Sequence, residues 1–257
     1  MPNQPILLIS GIMTKPKIVK LDEAIMANQE FQRSAMSAKL NWLRAGVLGA
    51  NDGIVSTAGL VMGVAGATTD SAAILIAGVA GLVAGSISMA GGEYTSVSAQ
   101  KDSEKAALAK ERKELATDPE GEERELAWFY EQKGLSLELA TKVAKELSAK
   151  DALRAHAEAE LGIDSEKHAS PTQAALASFV AFAAGSLLPL LAVTGPWVNY
   201  RIQVTVLAVV ASLAITGYVG AKIGGAKSGA AILRNVMVSL LTMGITYGIG
   251  LLVGTSV

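Results

Sequence analysis

The chain contains no cysteine among its 257 residues, so it has no disulfide, no thiolate metal site and no thiol nucleophile. A bound metal ion must therefore be held by oxygen, imidazole or thioether groups. Glycine-rich phosphate loops, nucleophile elbows and zinc-protease motifs are also missing, as is a basic patch for nucleic acid. These absences argue against the common nucleotide-binding and hydrolase chemistries and against nucleic acid as a partner.

Acidic residues are missing from the last third of the chain, because residues 169–257 contain no Asp or Glu. Residues 101–168 hold 17 of the 23 acidic and 12 of the 22 basic side chains. The whole chain is nevertheless 51% hydrophobic, with a mean hydropathy of +0.39. Charge that is segregated in this way indicates a polar segment inserted between membrane-spanning segments.

Five windows are long and apolar enough to cross a bilayer, which needs about 20 residues per helix. The sequence therefore predicts an all-α membrane protein with five transmembrane helices and a cytoplasmic helical domain inserted between the second and third. The five windows are residues 45–67, 72–97, 174–194, 202–221 and 231–253. The predicted domains are an N-terminal cytoplasmic or interfacial segment 1–44, transmembrane helices 1 and 2 in 45–97, the insertion 98–170, and transmembrane helices 3 to 5 in 171–257.

Lys and Arg residues in the short loops predict the orientation, since they favour the cytoplasmic side. They precede the first span and surround the loop between the fourth and fifth spans. The N-terminus and residues 98–170 are therefore predicted to be cytoplasmic, and residues 22–42 to form an amphipathic interfacial helix. No organellar targeting signal is recognisable, which favours a bacterial inner membrane. The loop residues are Lys15, Lys17, Lys20, Arg33, Lys39, Arg44, Lys222, Lys227 and Arg234.

The insertion is predicted to be helical throughout. The second span continues as a helix to about Leu115, because neither Gly nor Pro interrupts residues 93–117. Asp118 followed by Pro119 predicts the start of the next helix. Two further helices are predicted over residues 136–148 and 150–161, with Gly162 ending the second of them.

Asp52 interrupts the first apolar window. A carboxylate near the middle of a bilayer costs roughly 2.5–3.5 kcal/mol on insertion scales, so it usually faces a polar pathway or partner. Met89 in the second window offers a thioether, a soft ligand for later first-row metals, although methionine in a helix usually only packs. Glu93 follows one turn later. We predict metal-binding roles for Asp52, Met89 and Glu93 on a membrane path. The alternatives are a structural Asp52 that is hydrogen-bonded to a neighbouring helix, or a first span that begins after Gly53.

Two pairs of glutamates in the insertion have a spacing of three residues, which places each pair on one face of its helix. Two such helices packed together would present four carboxylates, as in helical bundles that bind iron or manganese. Glu158 or Glu160 could add a carboxylate and His156 a nitrogen. The alternative is a solvated face balanced by nearby Lys and Arg. The paired residues are Glu111, Glu114, Glu122 and Glu125.

Two motifs together with these glutamates resemble the vacuolar iron transporter (VIT) family. The motifs are GANDGIVS over residues 49–56 and SISMAGGEY over residues 86–94. The resemblance implies a five-helix homodimer that exports Fe²⁺, and often Mn²⁺, from the cytosol in exchange for protons. It implies that Asp52 and Met89 line the path at the dimer interface. It also implies a cytoplasmic metal-binding domain with the ligands Glu111, Glu114, Glu122, Glu125 and Glu160.

The chain departs from some plant members of that family at one point. A methionine pair precedes the last glutamate there, whereas His156 and Ala157 occupy those places in this chain. His156 could substitute as a ligand.

The predicted function is that of a proton-coupled antiporter in the lipid bilayer rather than an enzyme. No prosthetic group is expected, and Fe²⁺ or Mn²⁺ is the bound and transported ion. An aspartate can hold either a proton or a divalent cation, and this competition is sufficient for exchange. Two alternatives remain. One is a membrane-anchored buffer or sensor for iron or manganese; the other is a ferroxidase-like di-iron site, disfavoured because only one His lies near the carboxylates.

Overall fold

A computed structural model describes residues 46–163 and 170–254 of the chain, and within these ranges every regular element is a helix. A short 3₁₀ turn, Val198–Tyr200, precedes the sixth helix. The predicted amphipathic helix at residues 22–42 lies outside the described residues. The helices are α1 (Gly46–Ala67), α2 (Ser71–Thr117), α3 (Pro119–Gln132), α4 (Leu137–Ala159), α5 (Pro171–Thr194), α6 (Arg201–Gly224) and α7 (Ser228–Gly254).

Five of these helices, α1, α2, α5, α6 and α7, are long and apolar enough to cross a membrane. This confirms the predicted all-helical class and the predicted number of spans. The two remaining helices, α3 and α4, lie between the second and third spans in the sequence, where the polar insertion was expected.

Helix α2 is much longer than a bilayer requires. Its 47 residues correspond to about 70 Å at 1.5 Å per residue, whereas the hydrocarbon core is about 30 Å thick. The apolar first half is sufficient to cross it, and the charged second half, from Lys101 onward, extends past it. The predicted continuation to about Leu115 is confirmed, and the predicted domain boundary at residue 97 falls inside this helix. One continuous element therefore carries both Met89 and Glu111.

Small residues allow α1 to pack closely between two other spans. A Cβ atom at Gly53 would lie 2.2 Å from the carbonyl oxygen of Phe182 in α5. A Cβ atom at Gly250 in α7 would lie within 2 Å of the carbonyl oxygen of Gly63. Backbones this close leave no room for a side chain. In lipid the hydrophobic effect does not drive helices together, and close contact of this kind stabilises them through van der Waals packing.

An apolar core also joins α1 to α6 and α7. It consists of the buried residues Ile54, Ala58, Met62, Val209, Leu213 and Met243.

The helices of the insertion pack on each other and on α2. Asp118 caps α3 by accepting a hydrogen bond from the Gly121 amide at 2.9 Å, and Pro119 occupies the first turn, as predicted. Gly134, with a φ of +99°, lies in the turn before α4. A small core joins the two helices through Leu126, Ala127, Ala144 and Ala155.

Helix α4 consists of two helical segments joined at a kink, which lies where the sequence predicted the break between two helices. Asp151 has the non-helical angles φ −163° and ψ 93°. Its carboxylate accepts a hydrogen bond from the Arg154 amide at 3.0 Å and so acts as a new cap inside the helix. The segment after the kink carries His156 and Glu160, and Gly162 follows with a φ of +64°.

Candidate metal sites

His156 lies at the centre of a cluster formed by α2, α3 and α4. Its Nδ1 atom is 3.0 Å from Glu111 Oε1, 3.7 Å from Glu122 Oε2 and 3.6 Å from Glu160 Oε2. The cluster thus joins one carboxylate from α2, one from α3 and one from the end of α4. These four residues are called the soluble cluster below.

Two members of the soluble cluster are buried. Glu111 is 2% exposed and His156 is 0% exposed. The 3.0 Å contact between Glu111 Oε1 and His156 Nδ1 does not have the geometry of a hydrogen bond, and neither these atoms nor His156 Nε2 has another hydrogen-bond partner within the described part of the chain. A buried polar group without a partner costs about 1–3 kcal/mol. This arrangement of donor atoms suits a cation, which can satisfy several of them at once.

Burial also changes the pKa of two carboxyl groups in the soluble cluster. Both groups follow the apolar half of α2 in the sequence. Burial, with the nearby charge of Glu160, raises the pKa of Glu111 to about 7. Burial and the charge of Glu125 raise the pKa of Glu122. Near neutral pH, a proton and a cation therefore compete for Glu111.

The other two predicted glutamates of the insertion, Glu114 and Glu125, are not members of the soluble cluster. Glu114 forms an ion pair with Lys110, with an Nζ–Oε1 distance of 2.9 Å, and its side chain is 40% exposed. Glu125 is exposed. Their charges still contribute to the raised pKa of Glu111 and Glu122 respectively. A direct metal contact by Glu114 or Glu125 stays a prediction.

Asp52 and Met89 line a single cavity of about 350 Å³ between the membrane-spanning parts of α1 and α2, with Phe182 of α5 at its wall. The Ser56 hydroxyl donates a hydrogen bond to Asp52 Oδ1 at 2.7 Å. The hydroxyl of Thr57 is buried and has no hydrogen-bond partner among the described residues. The cavity, called the membrane cavity below, is lined by Asp52, Ser56, Thr57, Leu60, Gly81, Gly85, Ser88, Met89 and Phe182.

Glu93 lies one helical turn beyond Met89 on α2 and is half-buried. It does not belong to the lining of the membrane cavity. Its predicted role as a metal ligand stays a prediction.

The sequence patterns do not identify every residue of these two sites, and they understate the position of one of them. The hydroxyls of Ser56, Thr57 and Ser88 had no assigned role, although Ser56 is four residues after Asp52 and so lies on the same helical face. By its sequence position His156 is only an optional ligand, whereas the structure places its Nδ1 atom within 3.7 Å of three carboxylates. A buried position for the imidazole could not be read from its spacing.

Known proteins similar to this chain cover most of its length. A vacuolar iron transporter from Acanthamoeba castellanii is 46% identical over 215 residues, which are 82% of this chain and 78% of that protein. Vacuolar iron transporter homolog 5 from Oryza sativa is 38% identical over 83% of this chain and 81% of its own. VIT-like transporter 1b from Glycine max is 31% identical over 96% of this chain and 93% of its own.

These relatives come from eukaryotes, and two of the three carry "vacuolar" in their names. They give no support to the expectation of a bacterial inner membrane, while the five candidate spans agree with a membrane protein. A profile described as the VIT family matches residues 43–251. This match includes both motifs, the insertion, the first four candidate spans and most of the fifth, and the chain therefore belongs to the VIT family.

Proposed function

We propose that the protein is a proton-coupled transporter that exports Fe²⁺, with Mn²⁺ as a second substrate, from the cytosol. Its membership of the VIT family and the names of its relatives support metal-ion transport. The observation that carries the proposal is the meeting of Asp52 and Met89, from two different spans, in one cavity. A carboxylate is costly in a membrane, so an aspartate beside a soft sulfur ligand is best explained by a transition-metal ion that passes through.

The membrane cavity supplies the groups that such exchange needs. Asp52 binds the divalent ion or a proton in alternation, and the hydrogen bond from Ser56 fixes the orientation of its carboxylate. The Met89 thioether favours later first-row ions over Mg²⁺ and Ca²⁺. When a proton replaces the ion on Asp52, the ion is released to the far side.

The soluble cluster captures the ion on the cytoplasmic side before transfer. Glu111 and Met89 are 22 residues apart on α2, which corresponds to about 33 Å along one continuous helix. Captured ions are thereby concentrated at one end of the element that lines the membrane cavity.

A homodimer is part of the proposal. Asp52 and Ser88 are exposed although they line the membrane cavity, and the membrane-spanning faces of α2 leave apolar side chains such as Ile76 and Ile87 uncovered. A second subunit against α1 and α2 would close the cavity from the lipid.

Uptake into proteoliposomes tests the proposal. The full-length protein should move Fe²⁺, kept reduced, or Co²⁺ in response to a pH gradient, and Asp52→Asn should abolish this movement. Asparagine keeps the size of the side chain and an oxygen acceptor for Ser56 but can hold neither the proton nor the charge of the ion.

Asp70→Asn is the matched control. Asp70 caps α2 by accepting a hydrogen bond from the Ala72 amide at 2.9 Å, and asparagine caps equally well, so uptake should persist. Metal binding without uptake by the unmodified protein would replace transport with a membrane-anchored metal buffer or sensor. Uptake that is insensitive to the pH gradient would exclude the proton coupling.

A further inference from the structure

We propose that the imidazole of His156 is a direct nitrogen ligand of the ion held by the soluble cluster, and that it biases this cluster towards later first-row divalent ions over Mn²⁺. The inference rests on the proposed capture of metal by the cluster and adds to it a ligand and a chemical preference. The glutamates alone predict an all-oxygen site.

The distances between donor atoms fit a shared ion. In a first-row site with bonds of about 2.1 Å, two ligand atoms lie about 3.0 Å apart at octahedral angles and about 3.4 Å apart at tetrahedral angles. His156 Nδ1 lies 3.0, 3.6 and 3.7 Å from the three carboxylate oxygens. One donor atom each from Glu111, Glu122 and His156 also fall within 4.8 Å of one another. Small side-chain adjustments would bring these three donor atoms onto one ion, with the Glu160 carboxylate 3.6 Å from His156 Nδ1 as a further candidate ligand.

The burial of the ring supports a ligand role over a solvated or packing role. His156 is fully buried, its Nδ1 meets Glu111 Oε1 at 3.0 Å without the geometry of a hydrogen bond, and its Nε2 has no hydrogen-bond partner within residues 46–163 and 170–254. A buried histidine normally donates or accepts a hydrogen bond, because leaving its polar atoms unpaired is costly. Here Nδ1 faces three carboxylates, and a metal ion gives both partners a favourable contact. The ligating tautomer carries its proton on Nε2.

The chemistry of the ring determines the preference. Imidazole is a good ligand for iron, zinc, nickel and copper, whereas carboxylate oxygens suit magnesium, calcium and manganese. The neutral ring also completes the coordination without adding a fourth negative charge. A soluble cluster with one nitrogen should therefore favour Co²⁺ and Fe²⁺ over Mn²⁺ more strongly than the same cluster with oxygen in its place.

Electron spin echo spectroscopy of bound Mn²⁺ tests the ligand directly. The chain contains only two histidines, and the other, His168, lies outside the described residues. We expect purified full-length protein to show the ¹⁴N modulation of one directly bound imidazole. The signal should persist in His168→Gln and disappear in His156→Gln. The membrane cavity does not interfere, since Asp52 and Met89 offer oxygen and sulfur.

Isotope labelling keeps the test independent of the folding of His156→Gln. Growth with ¹⁵N-histidine in the His168→Gln background should replace the ¹⁴N modulation by that of ¹⁵N, with His156 intact. Bound Mn²⁺ without imidazole nitrogen modulation overturns the proposal while leaving metal capture by the glutamates standing. A signal lost in His168→Gln overturns it as well, and no binding at the cluster overturns both this inference and the proposed capture.

Competition titrations test the preference. In His156→Gln, the affinity of the cluster for Co²⁺ should fall at least about tenfold, as expected when a ligand shell is weakened. The affinity for Mn²⁺ should fall clearly less, because an amide oxygen suits Mn²⁺. An equal fall for both ions would overturn the preference and reduce His156 to a structural residue.

Discussion

The membrane cavity and the soluble cluster differ in how many strong ligands they offer and how deeply they enclose them. The membrane cavity, with about 350 Å³, has one carboxylate, one thioether and several hydroxyls, and Asp52 itself is exposed. The soluble cluster has three carboxylates, each with an oxygen within 3.7 Å of the His156 Nδ1 atom, and both Glu111 and His156 are buried.

This difference suits the two tasks that the proposed transport cycle requires. A site on a conduction path must bind its ion well enough to admit it and weakly enough to release it. A few ligands and an open side serve that purpose. A buried, multidentate cluster binds more tightly and suits the proposed capture of metal from a dilute pool. Helix α2 contributes to both, since it carries Met89 and Glu111.

The largest expected effect separates capture from passage. In Glu111→Gln, the affinity of purified full-length protein for Co²⁺ should fall at least about tenfold, since even the loss of a group that only supports a ligand costs about 10–100-fold. Uptake into proteoliposomes at saturating metal should persist, because the membrane cavity is unchanged.

Glu131→Gln is the matched control for this prediction. It removes the same charge from the same insertion, but Glu131 is exposed near the end of α3 and has no predicted metal-binding role. Its effect on Co²⁺ affinity should be much smaller than that of Glu111→Gln. Equal losses of Co²⁺ affinity in the two variants would show that the insertion binds metal through a diffuse acidic surface. The proposed difference between the soluble cluster and the membrane cavity would then be wrong.

A smaller effect concerns pH and also distinguishes the soluble cluster. Burial and the charge of Glu160 raise the pKa of Glu111 from 4.5 to about 7, so a proton must leave before the ion binds. The apparent affinity for Co²⁺ should therefore fall by about tenfold for each pH unit below 7 and level off above it. Titrations of full-length protein between about pH 5.5 and 8 measure this slope, which should be shallower in Glu111→Gln.

The same shift has a consequence for the stability of the unliganded protein. The folded state favours the neutral form of Glu111, so it binds more protons than the unfolded state between pH 4.5 and about 7. Stability should decrease as pH rises through this window and stay at its lower value above it. Thermal unfolding without metal should show this decrease in the unmodified protein and less of it in Glu111→Gln. An increase with pH would contradict the assigned direction.

The sequence was sufficient for the elements that depend on local patterns. Long apolar windows predicted the five spans, and Asp118 followed by Pro119 predicted the start of α3. The motifs around Asp52 and Met89 predicted two positions that the structure places in one cavity. Each of these signals lies within a short stretch of chain, which is why it could be read without tertiary information.

The arrangement of the soluble cluster could not be predicted in the same way. Glu111 and Glu114 share a helical face, and only the packing of α3 and α4 decides that the first is buried while the second stays 40% exposed. The position of His156 depends further on the kink at Asp151, where the chain departs from helical angles for a single residue. Such convergence of three helices is a tertiary property.

The smallest expected effect concerns the soft ligand of the membrane cavity. Met89→Leu removes the sulfur and nearly preserves the volume, a substitution that usually costs less than about 1.5 kcal/mol in stability. Uptake of Co²⁺ by proteoliposomes should fall several-fold, far short of the loss in Asp52→Asn, and uptake of Mn²⁺ should fall less because Mn²⁺ prefers oxygen ligands.

Met62→Leu is the matched control, since Met62 is buried in the core formed with α6 and α7 and does not line the membrane cavity. It should leave the ratio of Co²⁺ to Mn²⁺ uptake unchanged. If Met89→Leu also left that ratio unchanged, Met89 would be a packing residue. Discrimination between ions would then belong to the nitrogen-containing soluble cluster, and the membrane cavity would act on the charge of the ion through Asp52 without regard to its softness.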